Sequence, residues 1–583
     1  MSLPPPPIRG AWRTDERGRA AYAEGAGIYR IVPAGVCVPN SADELPALVR
    51  WAEEHGVPLV PRGAGSAMGG GNVGDGVIVD LGELRAPGIL IDARSAVART
   101  GAAVTSSELD QSARAHGLRL PPDPSSGRWA SLGGMVSTNA AGPRSVKYGS
   151  VRRWVEALTL VTGRGETLRL RRASGRPAGS WGESSVGGGA APSWTASSAG
   201  DPAVTGATVR FRDAAAAITA AAPAIRGRWP RTRKNAAGYA LDAWLASGDL
   251  LDLVIGAEGT LGLVVDIEWR LDRVPAHSAA LRVTLADLDA VAPAVAALLP
   301  FAPSALELLD RTYLDIAAPS LGPDERRLVE GAGALLLVEL EAEDAGALAD
   351  AVAGAARAVA PEAVSVEAAL TAGDAHRLWE IRHAASPTLA NLPETRRSLQ
   401  VVEDACVPVA RIGDYVRAVR AAGRRHGVDL VVFGHAGDGN VHVNLLPEVA
   451  VDGWERRVRA IHDDVAGTVL ELGGTFTGEH GDGRLRAGLL ERLYGEEIVE
   501  LFRRVKHAFD PGGILNPGVI LPVTGADPLE RLKVGAGAAQ LPPDIASGLR
   551  EIEQQRGYAR RRLTLADGPT GGARRPDSAL RSE

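Results

Sequence analysis

Three of the chain's 11 histidines stand with a glutamate in two short runs near the C-terminus. The first is F-G-H-A-G-D-G-N-V-H-V-N, Phe433 to Asn444, and the second is T-G-E-H-G-D-G, Thr477 to Gly483. Imidazole nitrogens and a carboxylate suit Zn²⁺ or a similar divalent ion, and three such ligands leave a position open for a substrate. His435, His442 and Glu479 form the candidate trio, with His480 close by as a group that need not bind the ion. H-x6-H is not a standard zinc spacing, so the fold has to bring the groups together. Taken singly, histidines that only pack on a strand fit the same residues.

A hairpin would do it. Leu430 to Phe433 is an apolar strand, and Asp438-Gly439 is a tight-turn signal. Val441 to Asn444 alternates as a second strand would, with His442 and Asn444 on one face. Upstream, residues 38 to 170 alternate short strands and helices: Ala42 to Glu54 reads as an amphipathic helix, and Pro58 to Pro61 as a short strand. P-R-G-A-G-S-A-M-G-G-G-N follows, Pro61 to Asn72. Successive glycines let backbone N–H groups turn into a concavity that takes phosphate oxygens. The loop is neither a Rossmann fingerprint nor a Walker loop, and a plain surface turn fits it too. Pro121 to Gly149 is a second loop region dense in Gly, Ser and Asn, suited to wrapping a large cofactor or to being an ordinary long loop.

The length of 583 residues predicts two or more domains, and 45% hydrophobic residues predict a globular chain. A net charge of −6 with mixed signs gives no nucleic-acid footprint. Cys37 and Cys406 are too few for an iron–sulfur cluster, which takes about four thiolates. No secretory signal and no transmembrane helix is read, so the cytoplasm is the expected compartment, with membrane contact through a partner left open. Residues 171 to 208 read as a flexible insertion. Asp252 to Leu271 reads as a strand-like run whose glycines at 256, 259 and 262 make a close approach to a ligand. Composition shifts after Pro275, giving expected segments of 1–37, 38–275, 276–520 and a tail, 521–583, partly disordered.

Seven motifs stand in order: P-R-G-A-G-S at 61, G-G-M-V-S-T-N at 133, K-N-A-A-G-Y at 234, G-A-E-G-T-L-G at 256, G-H-A-G-D-G-N-V-H at 434, G-E-H-G-D-G at 478 and F-D-P-G-G-I-L-N-P-G at 509. Together they resemble the FAD-binding oxidoreductases of the vanillyl-alcohol-oxidase type, in the branch of D-lactate, glycolate and D-2-hydroxyglutarate dehydrogenases. The resemblance implies an α+β fold. A two-part, PCMH-type FAD-binding domain precedes a ferredoxin-like cap of antiparallel sheet and helices, and a C-terminal segment returns to the flavin. It implies that Pro61, Arg62, Gly63, Ala64, Gly65, Ser66, Gly69, Gly70 and Asn72 hold the FAD pyrophosphate. Pro122, Gly133, Gly134, Ser137, Asn139, Gly142 and Tyr148 would line more of the cofactor. Glu258, Gly259 and Gly262 would form a second contact, with Asn516 near the ring. It makes His435, His442 and Glu479 the metal ligands, with zinc the expected ion, and His480 the base.

The chemistry implied is oxidation of a small 2-hydroxy acid. The metal lowers the hydroxyl pKa, His480 takes the proton and the hydride passes to FAD. Arg382 and Asn444 match substrate-holding positions, although Arg382 also reads as a surface helix arginine. Arg396 and Arg397, near Gln400, could add charge for a second, distal carboxylate, which leans toward a dicarboxylate such as D-2-hydroxyglutarate. The glycine-rich loop has no histidine for a covalent flavin link, so FAD is expected to be non-covalent. At 139 to 142 the chain reads N-A-A-G where the long relatives have a more polar sequence. With no cysteine cluster, electrons are expected to leave to a separate iron–sulfur subunit, an electron-transfer flavoprotein or a quinone; a homodimer is also open. The alternatives from other classes are a flavin-dependent transferase of the alkyl-glycerone-phosphate synthase type and a non-catalytic FAD relay subunit.

Overall fold

The computed structural model describes residues 3–172 and 202–568. A four-stranded sheet opens the fold, in the order Ala11–Arg13, Gly35–Val38, Val77–Asp80, Leu59–Arg62. Its last three strands run parallel, which requires crossovers, and the helix Leu45–His55 supplies one. That helix buries Leu45, Leu48, Val49 and Ala52 and stops at Gly56, whose φ of +62° closes it. The second sheet has five strands, all antiparallel, in the order Ile89–Asp92, Val97–Gly101, Leu263–Arg270, Val155–Val161, Thr167–Arg171.

A seven-stranded antiparallel sheet forms the second domain. Its order is Ser365–Ala369, His277–Leu285, Ala334–Ala342, Ala305–Asp310, Asp429–His435, Asn440–Leu446, Ala405–Cys406. Its central strands are apolar on both faces because helices pack on each: Ala345–Val359 and Ile412–His426 belong to one core, and Arg311–Ala317 belongs to another. The chain then returns. Helix Glu496–Phe509 lays Ile498, Leu501, Phe502 and Phe509 into the core of the five-stranded sheet, 200 or more positions back in sequence.

Two expectations change. Leu250–Val254 in the strand-like run is a helix; Leu251, Leu253 and Val254 are all buried, and a short apolar run cannot by itself tell helix from strand. A helix, Pro202–Ala220, begins inside the segment read as flexible; residues 173–201 lie outside the described residues. The tail, expected to be disordered in part, carries helices Pro543–Gln555 and Leu563–Asp567 in its described portion. They pack Ile545, Leu549, Ile552 and Leu565 on Val60 and Ile78 of the first sheet and on Tyr22, which ends the helix Glu16–Ala21. Residues 569–583 are outside the described residues. Among the described residues no helix is long and apolar enough to cross a membrane.

Candidate active site

Asp429–His435 pairs with Asn440–Leu446 through a turn at Gly439, φ +74°, and the register sets Phe433 opposite His442 and Val431 opposite Asn444. The hairpin brings the two imidazoles together, and the loop 477–480 crosses them. His435 Nε2 is 3.0 Å from Glu479 Oε1, His442 Nε2 is 3.4 Å from the same oxygen, and the two Nε2 atoms are 3.2 Å apart. Tetrahedral ligands held at about 2.1 Å from an ion lie roughly 3.4 Å from one another, so the trio is spaced to hold one.

The partners of the trio point the same way. His435 Nδ1–H donates to Glu307, and His442 Nδ1–H donates to the Glu403 carbonyl at 3.0 Å. Both Nε2 atoms are thereby turned inward, as outer hydrogen bonds fix metal-binding imidazoles. A second convergence, Glu403, Asp404, His442 and His480, is less suited. There His442 could offer only Nδ1, already used on a carbonyl, and the Glu403 carboxylate is tied to Arg486 and His480.

His480 Nε2 lies 3.8 Å from Glu479 Oε1, and its ring stacks on His442 with centroids 5.1 Å apart. Its Nδ1 meets Glu403 Oε2 at 2.6 Å. Asp404 holds the loop itself: one carboxylate oxygen accepts the N–H groups of Glu479 at 3.0 Å and His480 at 2.7 Å. Burial works against charging His480, but Glu403 and Asp404 outweigh it and set its pKa at about 10. Burial likewise opposes charge on His435, and Glu307 with Glu479 carries it to about 9. Glu479 sits well below the usual carboxylate range despite its burial, chiefly because of Lys234 and then His435.

Two expected results follow. Lys234 is 7% exposed and its Nζ stands 2.7 Å from Glu479. Removing one partner of such a buried pair costs about 3–5 kcal/mol, so Lys234→Met in metal-free protein should lower urea-unfolding stability by that order. A loss under 1 kcal/mol would mean the pair is not coupled. Glu403→Gln should keep flavin content but lower kcat by about 10–100-fold, the usual cost of losing an outer partner. An unchanged kcat would show that His480 needs no orienting carboxylate.

A cavity of about 1000 Å³ joins this cluster to the glycine-rich loops. Pro61, Arg62, Gly63, Ala64, Gly65 and Ser66 line it, with Asn72. Gly133, Gly134, Ser137, Glu258, Gly259 and Gly262 line it as well. Arg382, Arg397, Asn444 and the three histidines complete the lining with Glu479. Gly63 has to be small, since a Cβ there would meet Ser131 Oγ at 2.3 Å. Among the described residues no protein acceptor takes the N–H groups of Ala64, Gly65, Ser66 and Ala67. Such a cradle fits the phosphates of FAD.

Some expected contacts serve other ends. The Tyr148 hydroxyl bonds Glu341 and Arg119 rather than facing the cavity. Asn139 accepts the Arg152 N–H, and Gly142 donates to Glu479 Oε2 at 2.9 Å. Gly69 accepts the Arg484 N–H, and Gly70, at φ +82°, faces the Tyr29 ring. Pro122 is buried away from the cavity wall. Asn516 Nδ2 ties the carbonyls of Gly71 and Glu258 together at 2.8 and 2.9 Å. These residues brace the loops. Arg62 reaches the wall, but its guanidinium donates to the carbonyls of Tyr22, Glu24 and Asn72.

Arg382 is not a surface residue. It is 8% exposed, its Nε donates to Glu307 at 2.8 Å, and it lies over the Phe433 ring. Arg397 is already paired, with Glu394 at 2.9 Å and with Glu553 of the tail at 3.0 Å. Arg396 pairs with Asp429 and Glu448. Glu307, Glu403, Asp404 and Lys234 were not singled out as site residues in the sequence. A signal existed in A-L-E-L-L-D and V-V-E-D-A-C, where acids interrupt apolar runs.

A two-part domain whose backbone cradle opens onto a His/Glu cluster under an antiparallel cap defines a flavin-dependent oxidoreductase. The comparisons agree. The model of the "FAD binding domain" family matches residues 33–171, and that of "FAD linked oxidases, C-terminal domain" matches 274–520. The chain is 30% identical over 516 residues to D-lactate dehydrogenase of Archaeoglobus fulgidus, covering 88% of this chain and 96% of that one. It is 29% identical to glycolate oxidase subunit GlcD of Bacillus subtilis, covering 86% and 92%. Among solved structures, an alkyldihydroxyacetonephosphate synthase aligns with a TM-score of 0.57 at 14% identity over 87% of this chain and 82% of that one, a likeness of fold alone. The chain belongs to the FAD-linked oxidase family and is an FAD-dependent oxidoreductase.

Proposed function

We propose that the protein is a dehydrogenase of small D-2-hydroxy acids, of the D-lactate or glycolate kind, yielding the 2-oxo acid. The observation that carries this reading is the single cavity joining the glycine-rich cradle to His435, His442, Glu479 and His480. FAD, held by the glycine-rich cradle, would supply the hydride acceptor. A divalent ion held by the trio, zinc by the ligand types, supplies Lewis acidity toward the hydroxyl and, by like-charge repulsion, favours neutral His480.

The chain's own groups do the rest. Arg382, its Nε fixed on Glu307, presents the remainder of its guanidinium to the substrate carboxylate. Asn444 offers an amide from the same strand face as His442. His480 Nε2 takes the hydroxyl proton, while Glu403 holds Nδ1–H and so the tautomer. The hydroxyl O–H and Cα–H bonds break, a C=O forms, and the electron pair leaves with the hydride. Because Arg397 is already balanced by carboxylates, a monocarboxylate is favoured over a dicarboxylate. A relay subunit has no use for the histidine set, which argues against that alternative. The electrons pass on to a separate acceptor.

A dye-reduction assay with D-lactate, glycolate, D-2-hydroxyglutarate and L-lactate tests the reading. D-lactate or glycolate should be oxidised fastest, and chelation should stop turnover. A preference for the dicarboxylate would overturn the reading of Arg397, and no oxidation of any acid by FAD-loaded, metal-loaded protein would overturn the whole.

A further inference from the structure

We propose that Arg562, contributed by the C-terminal segment, is a ligand of the FAD diphosphate. The inference rests on FAD binding and not on the hydroxy-acid chemistry. The segment is fixed in place: besides its apolar face on the first sheet, Asp544 pairs with Arg17 and Asp567 with Arg13, each at 2.5 Å, and Arg561 pairs with Glu83. It lines the cavity, as do Tyr22, Arg62 and the glycine-rich loop.

Arg562 is 5% exposed and lines that cavity. Its Nε has no hydrogen-bond partner, and among the described residues no carboxylate lies within ion-pair distance of its guanidinium. Its guanidinium lies over the Tyr558 ring, 5.8 Å from the centroid, and that ring in turn lies 6.0 Å from Trp129. Arg62 nearby is 2% exposed and bonded only to backbone carbonyls. Burial, and then repulsion from Arg62, lower the Arg562 pKa to about 10.

Two buried guanidinium groups that no carboxylate pairs with among the described residues, Glu24 and Asp80 acting only from beyond ion-pair distance, are costly. They stand beside a loop whose N–H groups, Ala64 to Ala67, have no protein acceptor. Both features call for one anion with many acceptor oxygens. A planar guanidinium matches phosphate oxygens bidentately, and in a cavity of about 1000 Å³ that also reaches the histidine cluster, the diphosphate of FAD is that anion. Inorganic phosphate shares the chemistry, so the test has to separate the two.

Apo-protein is titrated with FAD and, separately, with riboflavin, following flavin fluorescence. Wild type is compared with Arg562→Gln and with Arg531→Gln, an exposed arginine of the tail that does not line the cavity. Arg562→Gln should raise the FAD Kd at least about 10-fold, leave riboflavin binding unchanged, and weaken competition by ADP; Arg531→Gln should stay within about twofold. Unchanged FAD affinity in Arg562→Gln, or an equal loss for riboflavin, would overturn the proposal. So would inorganic phosphate competing with FAD as well as ADP does. If Arg562→Gln does not fold, Arg562→Lys decides: a raised FAD Kd with riboflavin unaffected supports the proposal, and wild-type FAD affinity overturns it. Failure of the wild type itself to bind FAD would instead sink the cofactor assignment.

Discussion

His480→Ala should retain its FAD and metal yet lose reduction of the flavin by substrate, with kcat falling about 10²–10⁴-fold, the range for a positioned general base. The ring is fixed by Glu403 Oε2 at Nδ1 and by stacking on His442, and His480 is not one of the three expected metal ligands. Flavin content and metal content therefore serve as internal controls. Rapid-mixing spectra of the flavin read the chemical step without the downstream acceptor. A variant that bleaches at the wild-type rate would remove His480 as the base and leave the loop at 477–480 with a purely structural task.

The second large effect is expected from His442→Ala. One of three ligand atoms that lie 3.0–3.4 Å apart is deleted, a heavier loss than the 10–100-fold for an outer partner. Metal affinity should fall by at least about 100-fold and turnover with it, while FAD binding stays, because the cradle is built from the N–H groups of Ala64 to Ala67 and not from the trio. Elemental analysis after dialysis, paired with the flavin spectrum, measures both. Added metal at high concentration should restore part of the activity. Full metal occupancy in the variant would defeat the ligand assignment, and full activity without metal would defeat the role given to the ion.

The histidine hairpin is legible in sequence because period-two alternation and a Asp-Gly turn are local signals, and a strand register carries them directly into space. The glycine-rich loop is legible for a similar reason: backbone exposure is written in the residue type. What surrounds these groups is not local. Glu307 reaches His435 across 128 positions and Asp404 reaches His480 across 76, and only the pairing of the cap strands sets those distances. Arg397 read as a spare charge because its partner, Glu553, is 156 positions on. The tail read as polar because its apolar residues are few, but at helical spacing they make one narrow stripe onto the first sheet. Tyr148 and Asn139 are placed at the cofactor by resemblance alone, and a resemblance of sequence does not say which way a side chain turns.

Anaerobic bleaching of the purified protein's flavin absorbance tests the central claim most directly. The protein is mixed with D-lactate, glycolate or L-lactate, with and without chelator, and no acceptor is present. The account predicts bleaching by glycolate or the D-acid, none by the L-acid, and loss of bleaching when the metal is chelated. A bound flavin that no hydroxy acid reduces, in protein shown to carry its metal, would contradict it.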